Sequence, residues 1–290
     1  MQPITDFRAC IYVVKLKIII LMENMMITTN LLETSEAKKV IMQKGFFSVI
    51  EYQRDLSVEP EMAQQAYFAS EMDVRKRQLI ANLNDEVGIV AQKGHMQLML
   101  GDLKAETDVK SIGRLFKSFV GSKVTGETTI KPLYTGNGTL VLEPTFRYIL
   151  LENLSDWKNG LMIEDGMFLA CYDSAELHLG VRKTLSSAAL GMEGMFNTII
   201  SGEGIVALES PVPRSELVEV NIEDDVLKID GNIAIAWTAN LDFTVERTTP
   251  TVVGSVAAGE GLVNVYRGTG RLLIAPVKNN KGIPSPNNQK

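Results

Sequence analysis

Three glutamates, Glu127, Glu193 and Glu260, stand in glycine-flanked turns spaced 66 and then 67 positions apart. Carboxylates at one place in successive units can accept hydrogen bonds from turn N–H groups, or line a binding rim. Symmetric recurrence favours the shared turn role. Each is followed by a Gly-x-Gly: Gly136-Asn137-Gly138, Gly202-Glu203-Gly204 and Gly268-Thr269-Gly270, again 66 apart. A dinucleotide cradle needs glycines leading from a strand into a helix, whose N-terminus faces the phosphates. Here each pair runs into an apolar strand-like stretch closed by Pro144, Pro211 or Pro276. The glycines therefore read as turns or bulges.

The other reactive residue types are sparse. The two histidines, His95 and His178, occupy non-equivalent places and read as surface residues beside inward-facing Met96, Leu177 and Leu179. No metal-ligand set and no cofactor site is expected from them. Cys171 has no histidine partner in sequence and reads as a small strand residue; Cys10 forms no CxxC with it, and two cysteines with 13 methionines suit a reducing cytoplasm. No catalytic residue is assigned. Arg75-Lys76-Arg77 is the densest basic run and reads as a solvated strand start, with Arg182-Lys183 weaker. With a net charge of −6, nucleic acid is not favoured as a partner.

The elements that position these residues follow from the period. Asp165-Gly166 and Asp230-Gly231 precede alternating apolar runs: Phe168, Ala170, Tyr172 and Ile233, Ile235, Trp237; Gly94 with Met96, Leu98 and Leu100 is a looser first copy. Alternation marks strands with one buried face, and Asp-Gly supplies the positive φ of a tight turn. The expected fold is mainly β: a sandwich or pseudo-barrel built from three internal repeats of about 66 residues, with one or two short helices. The repeats run about 74–144, 145–211 and 212–277 inside a single domain over 46–277. One helix starts near Glu59-Pro60, capped by Ser57, with Met62, Ala66, Ala69 and Met72 on one stripe. The other spans Val109 to Val120, where Ile112, Phe116 and Phe119 form an apolar face beside Lys110, Arg114 and Lys117. That face is expected to be at least half buried, against the domain's own core or in a subunit interface, with peripheral membrane contact the least favoured role.

Residues 1–45 read as an N-terminal extension, disordered or upstream-translated, with Met22, Met25 or Met26 as alternative starts. The apolar run Ile18–Met22 is too short to span a membrane. Residues 278–290 read as a disordered tail.

The Gly-Glu turns, the Gly-x-Gly strands, the Asp165–Ala170 strand and the closing Gly259–Gly270 segment resemble the family called altered inheritance of mitochondria protein twenty-four. The resemblance covers Phe46 to Val277. It implies a fold like that of the tryptophan RNA-binding attenuation protein (TRAP) and homo-oligomerisation, trimeric or higher, and it implies no reaction or catalytic residue. Three readings follow. The leading one is a cytoplasmic, non-enzymatic, homo-oligomeric binding or scaffold protein that can take a protein partner. The alternative is a small-molecule-binding or hydrolytic β-barrel enzyme using strand-end carboxylates such as Asp165, Glu193 and Asp230. RNA binding is the weakest, because basic and aromatic residues do not recur from copy to copy.

Overall fold

The computed structural model describes residues 27–106, 131–181, 183–184, 196–247 and 262–277. Glu127, Glu193, Glu260, Ile112, Phe116 and Phe119, with the whole expected Val109–Val120 helix, lie outside the described residues. The chain is mostly β, and its sheets are antiparallel except at one short ladder. In chain order the strands are β1 (Lys38–Lys44), β2 (Phe47–Tyr52), β3 (Arg77–Leu83), β4 (Ile89–Ala91), β5 (Met96–Glu106), β6 (Leu133–Leu142), β7 (Tyr148–Asn153), β8 (Leu161–Ile163), β9 (Phe168–Tyr172), β10 (Ala175–Val181), β11 (Lys183–Thr184), β12 (Phe196–Gly202), β13 (Ile205–Ser210), β14 (Val218–Asp230), β15 (Ala234–Thr238), β16 (Asp242–Arg247) and β17 (Leu262–Ile274). Helix α1 is Ala63–Glu71, led by a 3₁₀ turn at Pro60–Met62.

The strands form two sheets. The first has the order β1-β2-β3-β6-β4-β9-β13-β7, with β5 on the other edge of β6. The second runs β10-β12-β8-β15-β17-β16-β11, with β14 added along β17. One apolar cluster joins the sheets, drawing Val90, Leu150, Cys171 and Val206 from the first and Leu161, Leu177, Ile200, Ile235 and Leu273 from the second. A further cluster belongs to the first sheet alone, around Phe47, Leu79, Leu140 and Tyr172. Its counterpart in the second sheet gathers Trp237, Phe243, Tyr266 and Leu272.

This arrangement changes the expected burial. Strands β9 and β15 are buried at every residue rather than on alternate ones, because one face meets the shared cluster and the other its own sheet's cluster. Conversely, Met96 and Leu98 do not point into a core: each is 40% exposed, since β5 pairs only with β6 and lies at the rim. Residues 38–44, within the expected N-terminal extension, form β1 and pair with β2.

The first glycine of each Gly-x-Gly has positive φ: +107° at Gly136, +95° at Gly202 and +110° at Gly268. Strain is not the only reason for glycine. A Cβ on Gly136 would overlap the carbonyl oxygen of Asp102, and one on Gly138 that of Leu100, both on paired strand β5. Gly94, Gly166 and Gly231, in the turns before the alternating runs, also have positive φ of 80°, 78° and 72°.

The glycines can be ranked by experiment. Gly94→Ala meets no neighbour within 4 Å and should cost only the left-handed backbone term, about 1 kcal/mol. Gly136→Ala adds a backbone overlap and should cost about 2–4 kcal/mol. Urea unfolding of both variants checks the order; equal midpoints would contradict the close-approach argument.

Candidate functional site

The chain passes from the second sheet to the first through the turn between β8 and β9. The turn is pinned to both: Glu164 N–H donates to Ile235 O of β15 (3.0 Å), and Glu209 N–H of β13 donates to Met167 O (2.8 Å). Gly166 takes the positive φ and Met167 N–H closes onto Glu164 O (3.2 Å). Asn197, 1% exposed, donates to Ile163 O (3.0 Å) and to Glu164 Oε2 (3.4 Å).

Beside this turn a cleft of about 210 Å³ opens between the sheets, lined by Gln92, His95, Lys131, Glu164, Asp165, Phe168, Thr198 and Glu209. Lys131 is 8% exposed; its Nζ donates to Gln92 Oε1 and sits 4.4 Å from the centre of the Phe168 ring. Glu164 is 6% exposed. A buried ammonium and a buried carboxylate are costly unless partnered. Together they make a polar concavity able to hydrogen-bond a small molecule.

Of the strand-end carboxylates expected to act together, Asp165 lines the cleft, Asp230 ends β14 outside its lining, and Glu193 lies outside the described residues. His95 is partly buried at the cleft rather than a plain surface residue. His178 is not among the lining residues; its Nε2 lies 3.3 Å from Glu176 Oε2. Among the described residues no three His, Cys, Asp or Glu side chains gather as metal ligands. Gln92, Lys131, Glu164 and Glu209 were not singled out in sequence. The available signal was a charge set within apolar surroundings, as at Leu161-Met162-Ile163-Glu164.

The basic run departs from its reading as a solvated strand start. Arg77 is 2% exposed, pairs with Glu51 (2.8 Å) and lies 3.8 Å over the Tyr148 ring. Arg75 pairs with Glu51 (3.2 Å) and Asp73 (3.0 Å), and Lys76 with Asp55 (2.7 Å). The sequence shows the cations together but not the acids that folding brings to them. A second charged network ties the sheets: Arg214 bridges Glu152 of β7 (3.2 Å) and Glu219 of β14 (2.8 Å), and Arg271 of β17 reaches Glu219 (3.5 Å) while lying 4.0 Å over Trp157. The hydrogen bond from Arg214, reinforced by Arg271, holds the Glu219 carboxyl below its usual range.

The family model described as "Mitochondrial biogenesis AIM24" matches residues 68–277. The chain belongs to this family. An uncharacterised protein of Streptococcus pyogenes serotype M6 is 27% identical over 167 residues, covering 56% of this chain and 64% of the relative, so the match spans less than two thirds of that protein. A crystal structure of a protein from Streptococcus pyogenes superposes with a TM-score of 0.51 at 24% identity, covering 70% of this chain and 89% of the other; it shows the likeness of fold. AIM24 membership assigns no side chain in the cleft a role.

Cys171, fully buried between Val90 and Val206, has its thiol pushed up to about 12 by burial. At pH 8 roughly one thiol in 10⁴ would be ionised. In a Cys10→Ser background the native protein should therefore not react with a disulfide-exchange reagent, and should react fully once unfolded in urea. Rapid native reaction would show Cys171 to be reachable.

Proposed function

We propose that this AIM24-family chain is a non-enzymatic binding or scaffold protein of the cytoplasm that assembles as a homo-oligomer, trimeric or larger. The observation that carries this reading is the state of its two longest rim strands. Among the described residues, β5 pairs only with β6 and β14 only with β17. Adjacent residues of a strand face opposite ways, so exposed Leu98 and Met99 leave β5 apolar on both faces; β14 exposes Val218 and Val226. Long open edges with apolar side chains are association sites unless covered. Similar positive φ values at Gly136, Gly202 and Gly268, and at Gly94, Gly166 and Gly231, support the three-repeat organisation within one domain. The pairing of Arg75, Lys76 and Arg77 with acids weighs against RNA. Light scattering coupled to size exclusion should give three or more chains per particle, and Leu98→Lys with Val226→Lys should lower that number. A wild-type monomer at micromolar concentration would overturn the reading.

The cleft favours a second reading, a small-molecule site using Asp165. On this reading, metabolites that raise the melting temperature of the wild type should lose their effect in Asp165→Asn. A shift that persists in the variant would exclude the cleft.

A further inference from the structure

Helix α1 turns small residues inward and its large apolar residues outward. Its inward residues are small: Ser70 is buried, and Ala66 and Ala69 are partly buried. Its large apolar residues point out: Tyr67 is 55% exposed, Phe68 58% and the following Met72 75%. The stripe of Met62, Ala66, Ala69 and Met72 expected to face a core is thus split, with the alanines turned in and both methionines out. Ser57 does not cap the segment; its N–H and hydroxyl both bond to Asp55 Oδ1 (3.1 and 2.6 Å). Leu56, Met62 and Val74 extend the exposed apolar series on either side.

The helix is nonetheless held firmly. Ser70 Oγ donates to Gln53 O (2.6 Å), Arg75 Nε donates to Ser70 O (3.2 Å), and Val74 N–H donates to Ala69 O (2.9 Å). Presenting Tyr67 against Phe68 edge-on, with ring centres 5.6 Å apart, exposes apolar area that a lone fold would bury.

We propose that α1 and its flanks dock a basic, amphipathic segment of a partner protein. The charge around the patch selects that occupant. Glu59, Glu61 and Glu71 are exposed and make no ion pair among the described residues. Of the neighbouring cations, Arg75 and Lys76 are taken by Glu51, Asp73 and Asp55, and exposed Arg54 is outnumbered by the three glutamates. The local field is therefore negative. It repels an anionic membrane, and it repels a second α1 brought face to face with the first. Apolar residues flanked by Lys or Arg satisfy both the aromatic–methionine surface and the free carboxylates. The proposal extends the binding reading above, yet uses a different surface from β5 and β14; particle mass tests the assembly, and peptide binding tests this surface.

The test uses the full chain and two fluorescent amphipathic helical peptides of about 15 residues, one of Leu with Lys and Arg, the other of Leu with Glu. By fluorescence anisotropy the basic peptide should bind at least about tenfold more tightly than the acidic one. Tyr67→Ser with Phe68→Ser and Met72→Ser should weaken it by a similar factor. Glu59→Lys with Glu61→Lys and Glu71→Lys should reverse the preference. Both variants should keep the wild-type melting temperature and particle mass, because the altered side chains lie outside the core. The proposal is overturned if neither peptide binds, if both bind alike, or if the variants leave binding unchanged. It is also overturned if the serine variant loses particle mass, which makes α1 a subunit interface. Loss by that variant of binding to phosphatidylcholine–phosphatidylglycerol vesicles likewise overturns it, in favour of a membrane.

Discussion

The strand pairing depends on a close approach at five of the six Gly-x-Gly glycines, whereas Gly268 meets nothing within 4 Å and answers to its positive φ alone. On β6 the space that two side chains would fill is taken by the carbonyl oxygens of Asp102 and Leu100; at the junction of β12 and β13 it is taken by Ser174 and Tyr172; on β17 Thr238 takes the place beside Gly270. Glycine inside a strand permits the bulge and sharp bend by which a sheet curls. Each sheet has an apolar cluster of its own, and the two share a third. That is why β9 and β15 have no solvent side. Tyr172 ties this together locally, packing on Phe46 and Phe47 and accepting the Phe46 N–H (2.7 Å).

Charge follows the same geometry. Cations are matched by acids from other elements: buried Arg77 of β3 with Glu51 of the adjacent β2, and, where the sheets meet, partly buried Arg214 with Glu152 and Glu219. Removing one partner from a buried pair such as Arg77–Glu51 costs about 3–5 kcal/mol; these side chains hold neighbouring elements together rather than recruit polyanions. The acids left over, around α1, are the ones able to select a partner. Recognition and cohesion thus draw on separate sets of side chains.

The β class was legible because alternation at Phe168, Ala170 and Tyr172 and the turn chemistry of Asp165-Gly166 are local properties of the chain. The second burial of Leu169 and Cys171 was not, since it depends on a sheet supplied by distant residues. For the same reason Met96 and Leu98 carried a core pattern without reaching a core, and three adjacent cations looked solvated until folding placed Glu51 and Asp55 beside them. The cleft was half visible: Asp165 and the cadence around it could be read, whereas Lys131 and Glu209 join it only through the meeting of two sheets. The inverted helix followed a related failure. Periodicity finds a stripe, but which side of it turns inward is decided by whether the receiving surface has room for Ala66 and Ser70 or for Phe68 and Met72.

The two tryptophans are both buried but have different neighbours. Trp157 lies under the Arg271 guanidinium, and its indole N–H donates to Glu152 (3.3 Å) at the junction of the sheets. Trp237 is fully enclosed with Phe243 and Tyr266, and its indole nitrogen has no hydrogen-bond partner among the described residues. An excited indole in apolar surroundings emits toward the blue, while one hydrogen-bonded to a carboxylate emits further to the red. The molecule therefore carries two optical gauges separable by colour, one reading the integrity of the second sheet and the other the contact between the sheets.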